Sequence, residues 1–316
     1  MLHFKNFWCF FIILFSCICL FAQSNESVVL KTKTGKLYGT LLIPQNKSVK
    51  RPLVVFISGS GPTDRNGNQF MMENNSLKFL AEGLVQNDVA SLRFDKRGVG
   101  ESKSALKNKS KFTFDDYVKD VKAWVDLMKK DQRFSDIIIM GHSEGALIGT
   151  IASQSESISK LISLAGVGQP ANVVLLEQLT NQNISLAKQA KPILDSLANG
   201  KTVKKYPSSL APLVKEEIQP YLISWFNYNP KQEISKLQKP ILIIQGTKDI
   251  QVKIEDANLL HQANPNSKLK IIEGMNHVLK RVDSDDRIVN MQTYMDGSLP
   301  LIEGLVEEVV EFITIN

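Results

Sequence analysis

The chain has 316 residues, of which 43% are hydrophobic and 22% are charged, and its formal net charge is +6. This ordinary composition excludes collagen-like, disordered and coiled-coil proteins. Lysines and arginines are scattered among acidic residues without forming a basic stripe, so we expect no nucleic-acid partner.

The N-terminal segment has the pattern of a secretory signal peptide. Lys5 supplies a positive charge, an apolar run begins at Phe7, and the small residue Ala22 precedes a polar stretch. The run is shorter than the roughly 18 to 20 residues that span a bilayer, so we interpret residues 1–22 as a cleaved signal peptide. Cys17 ends a segment that loosely resembles a lipobox, which leaves a lipid anchor as the alternative. Both interpretations predict an exported protein, periplasmic or extracellular, without a stable membrane span after cleavage.

All three cysteines, Cys9, Cys17 and Cys19, lie within that segment. If cleavage follows Ala22, the mature chain has no thiol, which excludes disulfides and cysteine catalysis. Residues 23–316 are long enough for one large α/β domain with an insertion or for two modest domains.

Short β-branched runs alternate with helical patterns along the rest of the chain. Val28–Thr32 and Lys36–Ile43 flank a turn and predict an antiparallel hairpin. The later strands are apolar on both faces, which is typical of a mainly parallel sheet with helices on both faces. These predicted strands are Pro52–Ile57, Val89–Phe94, Ile137–Met140, Leu161–Ala165, Pro240–Ile244 and Leu269–Ile272.

Helical spacing of apolar residues predicts helices between these strands and at the end of the chain. They contain Leu77 to Leu84, Phe114–Lys130, a short segment from Ala146, Leu259 with Leu260, and Leu301 to Phe312. Residues 167–235 interrupt the alternation, because they are largely helical, rich in proline and without a comparable strand. We interpret them as an insertion over the sheet within one domain.

A G-x-S-x-G pentapeptide, Gly141 to Gly145, stands between a predicted buried strand and a predicted helix. In such an elbow the serine occupies a strained turn, and the flanking glycines let neighbouring backbone pass without a Cβ clash. The context predicts that Ser143 is a nucleophile exposed above the sheet edge.

A serine hydroxyl needs a base to take its proton and an acid to orient that base. His277 follows the last predicted strand in a loop, whereas His142 lies beside Ser143 and His261 lies on a predicted helix. Asp249 occupies the equivalent loop after the preceding strand. We therefore expect Asp249 and His277 to complete a triad with Ser143.

The oxyanion that develops on an attacked acyl group needs two backbone N–H donors. One is expected from Glu144, which follows the nucleophile. The other is expected from the glycine-rich loop after the first buried parallel strand, where Ser60 is the first choice and Gly61 the second.

With these motifs the chain resembles an α/β-hydrolase over nearly all of its mature length. Asp95 to Ser102 match the D-x-R-G-x-G-x-S segment of that family, in the branch of serine-aminopeptidase-like hydrolases, monoglyceride-lipase-like enzymes and bacterial carboxylesterases. The usual His-Gly of the oxyanion loop is replaced by Ser58-Gly59. The resemblance implies an α/β-hydrolase fold with a helical lid at about residues 167–235.

The resemblance also implies a serine hydrolase that cleaves small-molecule carboxylic esters through an acyl-enzyme. Ser143 would attack, His277 would accept the proton, and Asp249 would orient the imidazole. Trp225, Phe226 and Tyr221 in the insertion are candidates for the substrate pocket.

Two alternatives remain open. A serine aminopeptidase or amidase would need an acidic group for the substrate ammonium, for which Glu177, Glu216 and Glu217 are candidates. Outside enzymes, the chain could be an exported binding module on a hydrolase fold. The histidines beyond the signal segment lie in separate contexts, so no metal or cofactor is expected, and the oligomeric state does not follow from the sequence.

Overall fold

Eight strands pair into a single sheet in a computed structural model that describes residues 23–45 and 50–315. The predicted signal peptide, residues 1–22 with Cys17, lies outside the described residues. The strands are β1 Gln23–Lys31, β2 Lys36–Pro44, β3 Arg51–Ile57, β4 Ala90–Phe94, β5 Phe134–His142, β6 Lys160–Leu164, β7 Ile241–Gly246 and β8 Lys268–Ile272.

The strand order is β1-β2-β4-β3-β5-β6-β7-β8. The predicted N-terminal hairpin is present as the antiparallel pair β1 and β2, and β2 also pairs antiparallel with β4. Every later pairing, from β4 and β3 through to β7 and β8, is parallel. The prediction of a mainly parallel sheet is confirmed.

Helices cover both faces of this sheet. Alternate residues of β3 divide between two cores, with Leu53 and Val55 facing one and Val54 and Phe56 facing the other, as the period of a strand requires. The helices are α1 Ser76–Gln86, α2 Phe114–Met128, α3 Glu144–Ala152, α4 Ala171–Gln182, α5 Ile184–Ala198, α6 Ala211–Val214, α7 Gln219–Phe226, α8 Pro230–Ser235, α9 Ile254–Ala263, α10 Arg287–Gln292 and α11 Leu305–Thr314.

Helices α4 to α8 fill the interval between β6 and β7, where the sequence predicted a helical insertion. Helix α7 packs against α2, and α5 packs against α4 and α7. That this insertion acts as a lid stays a prediction. No helix within the described ranges is both long and apolar enough to cross a bilayer.

The carboxyl ends of the parallel strands meet at one edge of the sheet, and the loops that leave this edge carry the candidate residues. The loop after β3 contains Ser60, the turn after β5 contains Ser143, and the loops after β7 and β8 contain Asp249 and His277. Helix α10 was not predicted. It begins after Asp286, which caps it by accepting a hydrogen bond from the N–H of Ile288 at 2.7 Å.

Candidate active site

Ser143 lies in a strained turn between β5 and α3. Its φ of 56° and ψ of −121° are a conformation that residues other than glycine rarely adopt. A Cβ on Gly141 would overlap the carbonyl of Gly145, and a Cβ on Gly145 would overlap the carbonyl of Ile57. The close approach of these backbones therefore requires both glycines that flank the serine in the pentapeptide.

A cavity of about 320 Å³ opens at this turn. Its lining includes Ser143, His277 and Ser60, which the sequence placed in three separate loops. Arg287 is the one side chain with a fixed charge among the described residues that line it. Neutral polar side chains from several elements complete much of the wall, namely Gln69, Asn74, Gln178, Asn181, Gln182 and Gln251.

Asp249 and His277 are in direct contact. Nδ1 of His277 lies 2.8 Å from Oδ2 of Asp249, and both side chains are buried. The same Oδ2 accepts a hydrogen bond from Gln245 Nε2 at 3.0 Å, while Oδ1 accepts from the N–H groups of Gln251 and Val252 at 2.7 and 2.9 Å. The carboxylate is thus held by four donors.

The electrostatics favour an ionised Asp249. Burial acts to raise the pKa of this carboxyl, but the interaction with His277 and the backbone N–H donors outweigh burial and lower the pKa below its ordinary value. A carboxylate in this state fixes the orientation of the imidazole and stabilises its protonated form.

Within the described part of the chain, Ser143 and His277 line one cavity without a hydrogen bond between them. In enzymes without bound substrate such bonds are often long and shorten when the substrate enters. The structure therefore brings the three predicted residues to one place, with the contact between aspartate and histidine already formed.

His142 has a role that the sequence did not predict. Its Nε2 lies 2.8 Å from the carbonyl oxygen of His277, and because a carbonyl only accepts, Nε2 carries the proton. Burial, followed by the proximity of His277, lowers the pKa of His142 to about 3, so the ring is neutral. The residue before the serine thus holds the backbone of the loop that carries the predicted base.

The two residues predicted to donate to the oxyanion, Ser60 and Glu144, lie close to Ser143. Gly59, next to Ser60, approaches so closely that a Cβ there would lie 3.3 Å from Cβ of Ser143. Neither the N–H of Ser60 nor that of Glu144 has an acceptor among the described residues. Gly61, the second choice, lines a different cavity of about 240 Å³. The geometry favours Ser60 over Gly61.

A buried lysine, Lys96, contacts Gly59, which precedes one of these donors, and Glu144, which is the other. Lys96, only 2% exposed, donates a hydrogen bond to the carbonyl of Gly59 and lies 3.7 Å from Oε1 of Glu144. The hydroxyl of Tyr221 donates a hydrogen bond to that oxygen at 2.7 Å. Burial lowers the pKa of Lys96, and the Glu144 carboxylate opposes this shift. In the sequence, Lys96 stands out only as a member of the segment from Asp95 to Ser102.

Asp95, the acidic member of the same segment, anchors the loop after β3 through Arg65. Asp95 accepts hydrogen bonds from the backbone and the guanidinium of Arg65 at 2.9 and 2.7 Å, and from the N–H of Glu101 at 3.0 Å. Ser102 accepts a hydrogen bond from the N–H of Tyr38 at 2.9 Å. The segment therefore organises loops that surround the site.

The prediction for the substrate pocket needs correction. Trp225 and Phe226 do not line the cavity at Ser143; they are buried in the core, where Trp225 stacks on Phe114 with ring centroids 5.9 Å apart. Tyr221 directs its hydroxyl to Glu144 and lines the neighbouring cavity. These aromatic residues attach the insertion to the body of the domain because α7 faces α2.

The acidic residues considered for an ammonium group also lie elsewhere. Glu177 pairs with Lys253 at 3.4 Å, and Glu217 pairs with Lys215 at 2.6 Å. Neither these two nor Glu216 is among the described residues that line the cavity at Ser143.

Comparison with known proteins gives a consistent result. A protein-family model described as serine aminopeptidase, S33, matches residues 72–225. Esterase EstD from Thermotoga maritima is 25% identical over 248 residues, which cover 77% of this chain and 58% of that protein. The chain thus spans 58% of the length of this curated relative.

Solved structures show the same fold. Est1E from Butyrivibrio proteoclasticus superposes with a TM-score of 0.59 at 21% identity, covering 92% of this chain and 99% of that one. The Pyrococcus furiosus esterase Pf2001 gives a TM-score of 0.57 at 19% identity, covering 92% of this chain and 89% of that one. At this identity the likeness concerns the arrangement of helices and strands.

Proposed function

We propose that the chain, which has the fold of the solved esterases and matches the serine-aminopeptidase family model over residues 72–225, is a serine hydrolase of the α/β-hydrolase type that cleaves carboxylic esters. The observation that carries the proposal is the contact of 2.8 Å between Asp249 and His277 at a cavity that Ser143 also lines.

In the proposed reaction Oγ of Ser143 attacks the acyl carbon while Nε2 of His277 takes its proton. The oxyanion accepts hydrogen bonds from the N–H groups of Ser60 and Glu144. When the tetrahedral intermediate collapses, the C–O bond to the alcohol breaks and His277 returns the proton to the leaving oxygen. Water then attacks the acyl-enzyme with His277 as base again, releasing the acid and free Ser143.

The charge of the cavity favours an ester over an aminoacyl amide. Arg287 contributes a guanidinium to the described lining, so a substrate ammonium would meet a charge of its own sign. A neutral or anionic acyl group meets no such repulsion. We therefore expect acetyl or butyryl esters to be hydrolysed with a higher kcat/KM than an aminoacyl amide with the same leaving group.

The direct test is Ser143→Ala, with Ser153→Ala as its matched control. Ser153 lies at the other end of α3, and its buried Oγ forms no hydrogen bond within the described residues. Loss of the nucleophile is expected to lower kcat for a chromogenic short-chain ester by about 10⁴-fold or more. The control should keep the wild-type rate.

A fluorophosphonate probe separates the enzyme from a binding module on the same fold. The probe should label wild-type chain at Ser143 and leave Ser143→Ala unlabelled. Ester hydrolysis at the wild-type rate by Ser143→Ala, or absence of labelling in the wild type, would defeat the proposal.

A further inference from the structure

One charged side chain beside the candidate site has no part in the reaction proposed above. Lys96 follows β4, is 2% exposed, and donates a hydrogen bond to the carbonyl of Gly59. Its Nζ lies 5.0 Å from the ring centroid of Tyr117. A lysine is almost never fully buried without partners, because removing an ammonium from water is costly.

The acceptor of this hydrogen bond belongs to the peptide group that supplies the predicted oxyanion donor. The carbonyl of Gly59 and the N–H of Ser60 are two ends of one planar trans peptide and point in opposite directions. A glycine leaves the rotation of this plane unusually free. Holding the carbonyl on Lys96 therefore fixes the direction of the Ser60 N–H, which faces away from the lysine.

The same ammonium reaches the second donor. Nζ of Lys96 lies 3.7 Å from Oε1 of Glu144, whose backbone N–H is the other predicted oxyanion donor. The hydroxyl of Tyr221 holds this carboxylate from the other side at 2.7 Å. Lys96 thus contacts Gly59, whose carbonyl shares a peptide with the Ser60 N–H, and also Glu144, which carries the second N–H.

We propose that Lys96 is a positioning residue that orients the Gly59–Ser60 peptide and holds it in register with Glu144, so that two N–H donors converge on the oxyanion. This inference rests on the proposed function. A charged donor on the carbonyl also polarises the peptide, which strengthens the hydrogen bond from its N–H. Lys96 is not among the residues lining the cavity, so it acts through this peptide without touching substrate.

The purely structural alternative treats Lys96 as a buried cation that only stabilises the fold. The two roles differ in what they change. Loss of an oriented oxyanion donor weakens binding of the transition state while leaving binding of the ester nearly unaltered. A structural role lowers the fraction of folded chain and leaves kcat per active site unchanged.

The test is Lys96→Met, which keeps the unbranched apolar part of the side chain without the donor or the charge. Its matched control is Lys160→Met, because Lys160 donates to the carbonyls of Phe312 and Ile313 at 3.0 and 2.9 Å and lies over the Phe312 ring, at the amino end of β6. Active sites are titrated by the burst of a chromogenic ester, and kcat is expressed per titrated site.

We expect Lys96→Met to lower kcat by about 10- to 100-fold, since complete loss of one oxyanion donor costs about 10²- to 10³-fold. KM should stay within about threefold. The affinity for phenylboronic acid, which forms a tetrahedral adduct with a nucleophilic serine, should fall by a factor similar to that for kcat. Lys160→Met should keep the wild-type kcat and boronate affinity.

An unchanged kcat per titrated site in Lys96→Met overturns the inference, and so does a rise in KM alone. If the methionine variant does not fold, Lys96→Gln is measured in the same way, and wild-type kcat in that variant overturns it equally.

Failure of the inference is distinguishable from failure of the proposed function. A wild-type chain that neither hydrolyses esters nor reacts with a fluorophosphonate overturns both. If the wild type reacts with the probe but turns over no ester, the labelling rate at Ser143 depends on the same two N–H donors. Equal labelling of Lys96→Met and wild type then overturns the role of Lys96 alone.

Discussion

The neutral ring of His142 connects the turn at Ser143 with the loop at His277. Its pKa of about 3 in the folded chain, caused first by burial, lies well below the ordinary histidine value near 6.5. Between these values the unfolded state binds a proton that the folded state does not. The contribution of His142 to the free energy of unfolding is therefore fully present above about pH 6.5 and is lost as the pH falls towards 3.

This asymmetry gives a prediction for His142→Gln, in which an amide replaces the ring and still offers an N–H at a similar distance. The wild type should lose up to about 1.4 kcal/mol of unfolding free energy per pH unit below pH 6.5 through this residue alone. The glutamine variant should show a shallower fall. Urea unfolding at pH 7, 6, 5 and 4 measures both slopes, and parallel slopes would contradict the prediction.

Residue types and loop order sufficed to predict Ser143, Asp249 and His277 as one group, because the carboxyl ends of parallel strands meet at one sheet edge. The roles of His142 and Lys96 could not be predicted in this way. Both act by donating to backbone carbonyls, on His277 and Gly59. Every residue carries a carbonyl, so no sequence pattern identifies which one is contacted.

Helix α7 shows how an apolar cluster can be assigned to the wrong surface. Its aromatic residues lie in the insertion that the family resemblance associates with a lid, which suggested a substrate pocket. The helix instead packs its aromatic face against Phe114 of α2. Apolar spacing predicts which face is buried, but it does not distinguish a core from a ligand cavity.

The corrected assignment predicts separate effects for two substitutions. Trp225→Ala removes a buried ring stacked on Phe114 and should lower the unfolding free energy by about 3 to 5 kcal/mol, with little change in KM. Met291 lines the cavity and is 48% exposed, so Met291→Ala should change KM at nearly wild-type stability. Ester kinetics and chemical denaturation measure both. A large rise in KM for folded Trp225→Ala would restore the pocket assignment.

At the level of the whole molecule, ion pairs join α11 to the edge strand β8. Glu308 in its first turn is buried and lies 2.7 and 2.8 Å from the ammonium groups of Lys268 and Lys270 on edge strand β8. Burial acts to raise the pKa of Glu308, but the two lysines outweigh it and lower the pKa. Lysines on an edge strand also discourage pairing with a second sheet.

Glu308→Ala should therefore lower the unfolding free energy by about 1 to 2 kcal/mol through the loss of two ion pairs and a favourable helix N-terminal charge. Glu311 is the control on the same helix, since it lies 3.4 Å from Lys268 and is exposed. Its replacement by alanine should cost less than about 0.5 kcal/mol. Thermal unfolding at low and high salt checks the difference, which salt should reduce. If the two substitutions lowered the unfolding free energy equally, burial of Glu308 would not account for the strength of its ion pairs.

Much of the overall architecture could be predicted, because strands that are apolar on both faces need helices on both sides. Helix α10 could not, since it is short and follows a charged stretch without apolar periodicity. The relative positions of distant loops also could not be predicted, because they depend on the twist of the sheet between its strands.

The bond between His142 and His277 joins two ends of the parallel sheet that are several strands apart. Strands β5 and β8 are three places apart, about 14 Å at ordinary strand spacing, yet the loop after β8 contacts the end of β5. At the ordinary twist of about 20 to 25° per step, the directions of these two strands differ by about 60 to 75°. Gly246 lets the loop cross the end of β7, since a Cβ there would overlap the carbonyl of Met275. The five residues from Glu273 to His277 can span about 17 Å when extended, so this short loop is long enough to carry the predicted base across the ends of the intervening strands.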